Sequence, residues 1–146
     1  MTSPRSVRFD PDVLARLSAY VKAHPGLSAS TLTNRFVDEA LRMEAHPGIF
    51  FREGPAGRRA VLVGGPDVWE VIRAVRSVRE HESGLSAEDV VATVADSSGV
   101  VAQLVDLAIE YWTAYPDEID EWIRAADAAE REAFQQWQRR QNLLAS

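Results

Sequence analysis

Arg5-Ser6-Val7-Arg8-Phe9 is a short alternating stretch, and the question of what pairs with it decides the fold. No second strand signal follows it before Ile49. An unpaired strand leaves a row of open N–H and C=O groups. The partner expected is the same strand of a second copy, related by a two-fold axis. Alternation puts Val7 and Phe9 on one face, against helices, and Ser6 and Arg8 on the other. A two-stranded ribbon of that kind fits the major groove of DNA.

The residues that follow give the ribbon its support. Asp10-Pro11-Asp12 predicts a helix start, with Asp10 at N-cap and Pro11 at N1. Phe9 and Leu14 have hydrophobic-staple spacing. Val13, Leu14, Leu17 and Val21 share one face, and His24-Pro25-Gly26 ends the helix. Ser28 then caps a second helix whose apolar positions are Leu32, Phe36, Ala40 and Met43. Val7, Phe9, Leu14, Leu17 and Phe36 are the expected core of a dimer.

Strand, helix, Gly26-Leu27-Ser28-Ala29-Ser30, helix resembles the ribbon-helix-helix repressors of the CopG/Arc type over residues 4–45. The resemblance implies a DNA-binding homodimer. It makes Ser6 and Arg8 the base readers, with Pro4 standing at the first reading position and Arg5 where an apolar residue is common. It also implies a phosphate held at the N-terminus of the second helix by Ser28, Ala29 and Ser30.

The net charge of −6 is unusual for such a protein, and its distribution matters more than its total. Residues 1–46 and 47–84 each carry +1, and residues 85–146 carry −8. Little basic charge predicts weak non-specific DNA binding. An acidic C-terminal region suits a basic protein partner. The absence of Cys excludes disulfides and thiolate chemistry. No apolar run reaches membrane length and no signal-peptide pattern follows Met1, so a cytoplasmic protein with no membrane partner is expected.

His46-Pro47-Gly48 marks a boundary. Ile49-Phe50-Phe51-Arg52 and Arg59–Val63 read as a hairpin about the turn Gly54-Pro55-Ala56-Gly57. Gly64-Gly65-Pro66 lacks the residues of a nucleotide loop. Asp67 is placed to cap a helix with Val68, Val71, Ile72 and Val75 inward and Arg73, Arg76 and Arg79 on another face. Ser86 caps the next, with a Leu85/Val90 staple, Val91 and Val94. After a turn at Ser97-Ser98-Gly99, Val101, Leu104, Val105, Ala108 and Trp112 line a fifth helix. The pattern predicts a small helix-turn-helix-like or winged domain.

Gly84–Val90, Ala108-Ile109-Glu110-Tyr111-Trp112 and Glu118-Ile119-Asp120 resemble the helix-turn-helix-like domain of antitoxins in VapBC-like toxin–antitoxin pairs. Gly65-Pro66-Asp67 stands where that family often has Gly-Thr-Arg, so no role is carried over there. The two resemblances together imply an antitoxin that inhibits a PIN-like ribonuclease toxin and represses its own operon on operator DNA, as a homodimer or higher homo-oligomer. The alternative is a stand-alone ribbon-helix-helix repressor whose second domain senses a ligand or protein.

Pro116-Asp117-Glu118 starts a last helix, and Ile119, Trp122, Ile123 and Ala126 are spaced to pack on the preceding domain. Beyond them the stripe thins, then Phe134 and Trp137 appear, followed by Arg139 and Arg140. These four are the expected toxin-binding residues, the arginines as candidates to enter an acidic ribonuclease site.

The expected fold class is therefore mainly α. A ribbon-helix-helix domain over 1–46 is dimeric through its strand. A helix-turn-helix-like domain with a β-hairpin covers 47–115, and a C-terminal helix covers 116–146. His24, His46 and His81 have no second ligand at metal spacing, and no nucleophile–base set is visible. No enzyme, cofactor or metal is expected.

Overall fold

Asp10 and Pro11 open the first helix, α1 (Pro11–Ala23), with the Asp10 carbonyl accepting from Leu14 N–H at 2.9 Å. Leu27-Ser28 opens α2 (Ala29–Ala45), where Ser28 Oγ accepts from Thr31 N–H at 3.1 Å. The computed structural model describes residues 2–145. They form two compact units, the first ending at Glu44 and the second beginning at Ala45.

The first element of the chain is α1 and not a strand. Residues 2–10 form no helix or strand and are exposed throughout. A lone chain offers the segment Arg5–Phe9 no second strand, so its N–H and C=O groups have no ladder to join. In this first unit α1 buries none of its residues, and α2 buries only Leu32 and Glu39.

The second unit has a core of its own. β1 (Ile49–Gly54) and β2 (Gly57–Leu62) pair antiparallel, from Ile49 opposite Leu62 to Gly54 opposite Gly57. The two-residue link Pro55-Ala56 suits a tight hairpin, and Gly57 has φ +123°, a conformation side chains strain to reach. Gly64-Gly65-Pro66 folds back on β2: Leu62 N–H reaches Pro66 O at 3.0 Å and Gly65 N–H reaches Leu62 O at 3.1 Å. α3 (Val68–His81), α4 (Ala87–Ser98), α5 (Ala102–Ala114) and α6 (Pro116–Ala145) follow.

Ile49 and Leu62 of the hairpin, Val68, Val71 and Ile72 of α3, Val94 of α4, Val105 and Ala108 of α5, and Ile119 and Ile123 of α6 share one apolar cluster. The described residues are thus mainly helical with one small hairpin. Among the described residues, no single helix is long and apolar enough to cross a membrane.

Three local expectations change. α4 runs through Ser98 and ends at Gly99 with φ +72°, so the serines close the helix instead of forming a turn. Val101 is the N-cap of α5 and is exposed, while Tyr111, outside the expected lining of that helix, is fully buried. Asp67 occupies the N-cap of α3 but its carboxylate makes no cap bond; it is committed elsewhere. The His46 ring, at the boundary, is buried against Tyr111 and Tyr115, at 5.3 and 6.2 Å between centroids.

Candidate interaction surfaces

An apolar groove opens on the first unit. Phe9, Val13, Leu17, Tyr20, Phe36 and Val37 line it. Tyr20 meets Phe36 edge-on at 5.2 Å and stacks on His24 at 4.0 Å. Leu17 and Phe36 are half-buried, while Phe9 keeps 38% of its surface in solvent. Leu14 lies apart, beside Val21 and Ala29 on an adjoining concavity, and Val7 lines neither groove. The structure thus brings together Phe9, Leu17 and Phe36 of the five expected dimer residues.

Ser6 and Arg8 are exposed on the arm before α1. Thr2, Ser3 and Pro4 share a polar concavity with Ser30, Thr31 and Asn34 at the start of α2. Ser28 is spent as the cap, since its hydroxyl also donates to Thr31 Oγ1 at 3.0 Å. Ser30 and Ala29 remain exposed in the first turn.

The arginine face of α3 is turned inward to α6. Arg73 pairs with Glu130 at 2.8 Å and Asp127 at 3.4 Å, and lies over Trp69 at 5.0 Å. Arg76 donates to Asp120 at 2.6 Å and lies over Trp112 at 5.7 Å. Arg79 donates to the Leu85 carbonyl at 3.3 Å. Trp112 Nε1–H also donates to Asp120, and this bond, with Arg76, holds the Asp120 carboxyl below its ordinary value. Arg73 is raised in turn, chiefly by its bond to Glu130. Asp120, Asp127 and Glu130 of α6 are therefore committed to α3.

No ion pair to α3 is seen beyond Glu130 among the described residues. Every described residue after Asp127 is exposed. Phe134 and Trp137 stack on each other at 5.9 Å, with 57% and 55% of their surfaces open, and Leu143 and Leu144 are more open still. At 100° per residue, Phe134, Trp137 and Leu144 fall on the same face as the buried Ile119 and Ile123. That stripe continues past the domain that buries its first half. Residues 128–145 carry Arg131, Arg139 and Arg140 against Glu130 and Glu132, so this stretch is not acidic. The acidity of the C-terminal region lies before it, which reverses the charge expected of a partner here.

Tyr111, Trp112, Asp120 and Asp127 fix α6 and were not singled out by sequence reasoning for this role. The i, i+3, i+6 spacing of Arg73, Arg76 and Arg79 on α3 gave no sign of which charges on another helix would meet it. Among the described residues, no group of three His, Cys, Asp or Glu is placed to hold a metal ion.

No family model matches this sequence, and comparison with curated proteins and with solved structures finds no match either.

Proposed function

We propose that the chain is an antitoxin of a type II toxin–antitoxin pair, which dimerises through its N-terminal segment, represses its own operon and inhibits a PIN-like ribonuclease with its C-terminal helix. The observation that carries the reading is the thirty-residue α6, whose apolar stripe outruns its own domain and ends in exposed Phe134 and Trp137. Exposed stacked aromatics on a helix are what helix-in-groove docking uses. The flanking Arg139 and Arg140 suit a partner with an acidic cleft, as a metal-dependent ribonuclease presents.

The first unit supports the DNA half of the reading. Its α1 has no buried residue and its groove is built from Phe9, Leu17, Tyr20 and Phe36, so a second copy is needed to complete a core. Pairing of two Arg5–Phe9 segments then presents Ser6 and Arg8 to base edges, with Arg8 facing guanine. Ser30, which lines the concavity beside the arm, and the neighbouring Ala29 offer phosphate contacts. Weak basic charge places specificity in those few contacts rather than in phosphate neutralisation.

Two measurements test the two halves. Co-purification with the product of the adjacent open reading frame, lost on deleting residues 132–146, tests the toxin clamp. A gel-shift series tests the ribbon: Arg8→Ala should cost about 1–3 kcal/mol at the operator and less on random DNA. Unchanged operator affinity in Arg8→Ala rejects the base-reading role.

A further inference from the structure

A groove of about 300 Å³ opens within the second unit, between the hairpin turn, the start of α3 and the inner part of α6. It is distinct from the outer half of α6 and from the apolar face of the first unit. Trp69 and Trp122 wall it, Ala125, Ala126 and Ala129 give it a flat side, and Arg59 and Asp67 are its charged residues. Small residues along that stretch of α6 keep it open: a larger side chain at Ala125 or Ala129, both exposed, fills it.

Its polar end is built in advance. Arg59 gives Nε–H to Asp67 Oδ2, and the same oxygen accepts from Trp69 Nε1–H at 3.0 Å. Asp67 is 8% exposed, so the carboxylate that positions Arg59 is itself fixed. Arg59 Nη1 lies over Gly54, where a Cβ would collide with it. The guanidinium is thus held between turn and carboxylate by its Nε edge. Its other edge, the pair of Nη groups, finds no acceptor among the described residues.

We propose that this groove binds a small planar aromatic monocarboxylate, its ring against Trp69 and Trp122 and its carboxylate on the Nη edge of Arg59. The Nη end of a guanidinium can offer two parallel N–H donors, which match a carboxylate bidentately. The walls favour a ring, since aromatic faces and flat alanine surface gain most from a planar apolar ligand. Arg59 and Asp67 already cancel in charge, so a monoanion leaves the site at −1 and a dianion at −2, which disfavours a phosphate monoester. A volume near the lower end of small-ligand pockets selects a one- or two-ring ligand. Because Arg59 is held in place before binding, little ordering is lost when the ligand arrives.

The test uses the full chain, with calorimetry and tryptophan fluorescence as readouts. The probes are benzoate, indole-3-carboxylate and the neutral benzamide, each to about 10 mM, the weak end of measurable affinity. Indole-3-carboxylate should bind saturably, one per chain, and benzamide should bind at least about tenfold more weakly than benzoate, a gap of about 1.4 kcal/mol. Arg59→Lys, which keeps the charge and loses the fork, should weaken both acids about tenfold. Ala125→Leu and Ala129→Leu change exposed positions and should remove binding while leaving circular dichroism unchanged. No saturable binding of either acid overturns the proposal. So does equal binding of acid and amide, or binding that survives both leucine substitutions. The outcome is separate from toxin binding, which residues 132–146 are proposed to carry.

Discussion

Asp67 shows how one side chain can fix several elements at once. Its carboxylate takes Arg59 from β2 and Trp69 from α3, and its backbone bridges to Val61. The sequence made it a helix cap, because Asp before an apolar run has that role most often. Burial changes the outcome: a carboxylate at 8% exposure has more to gain from a guanidinium than from a cap N–H. Asp67→Ala leaves Arg59 with no carboxylate, so it should destabilise the second unit by about 3 kcal/mol, the lower end for breaking a buried pair. A urea midpoint equal to that of the unaltered chain is the result that would refute this. Asp120 carries a pH signature. Its folded-state value is depressed, first by Trp112 and then by Arg76, so its contribution is present above the ordinary 3.8. It is lost as pH falls through the depressed value. The stability difference between the unaltered chain and Asp120→Asn should therefore shrink on acidification below that range, and a gap that widens would contradict the assignment.

At the scale of elements, α6 is a helix of two halves, about 45 Å long in all. The inner half is held by Ile119 and Ile123 in the core and by Asp120, Asp127 and Glu130 on α3. In the outer half every described residue is exposed, and Phe134 stacks on Trp137. A cut after Ala126, the last apolar residue of the inner stripe, would strip Asp127 and Glu130 from Arg73. A cut after Arg131 spares them. Deleting residues 132–146 should leave the thermal midpoint of the second unit within a few degrees of the full chain and abolish capture of the proposed ribonuclease. Trp137→Ala should reproduce about 2–4 kcal/mol of that loss as a central anchor. A deletion that still captures the enzyme would move the interface elsewhere.

These elements were legible in the sequence to different degrees, for physical reasons. Periodicity and punctuation mark α1 to α6 and the hairpin because caps, staples and turns act over a few residues. Ser86 capping through Asp89 N–H at 3.1 Å is one such local feature. The pairing of Arg73 and Arg76 with α6 spans 44 to 57 residues, and no local pattern encodes it. Tyr111 was missed because a Tyr at a core position needs an acceptor, here Glu118 at 3.1 Å, which only the fold supplies.

For the whole molecule, the two units differ in what they need. The second has its own buried core, whereas α1 of the first buries nothing. If a second copy completes the first unit, folding of that unit depends on protein concentration and folding of the second does not. The four tryptophans, at 69, 112, 122 and 137, all lie in the second unit, so fluorescence follows it alone while far-ultraviolet dichroism follows both. Dilution through the micromolar range should reduce helical signal and dichroism midpoint without moving the fluorescence midpoint. Phe9→Ala should shift this balance strongly. Truncating a buried Phe costs about 3 kcal/mol or more, and a symmetric dimer loses it twice. That is about 6 kcal/mol per dimer, or about ten-thousand-fold in the dissociation constant. Sedimentation should then show a monomer with the tryptophan spectrum of the unaltered chain and less helix. An unaltered chain that sediments as a monomer at micromolar concentration, with α1 and α2 fully helical, would mean that the exposed groove needs no second copy.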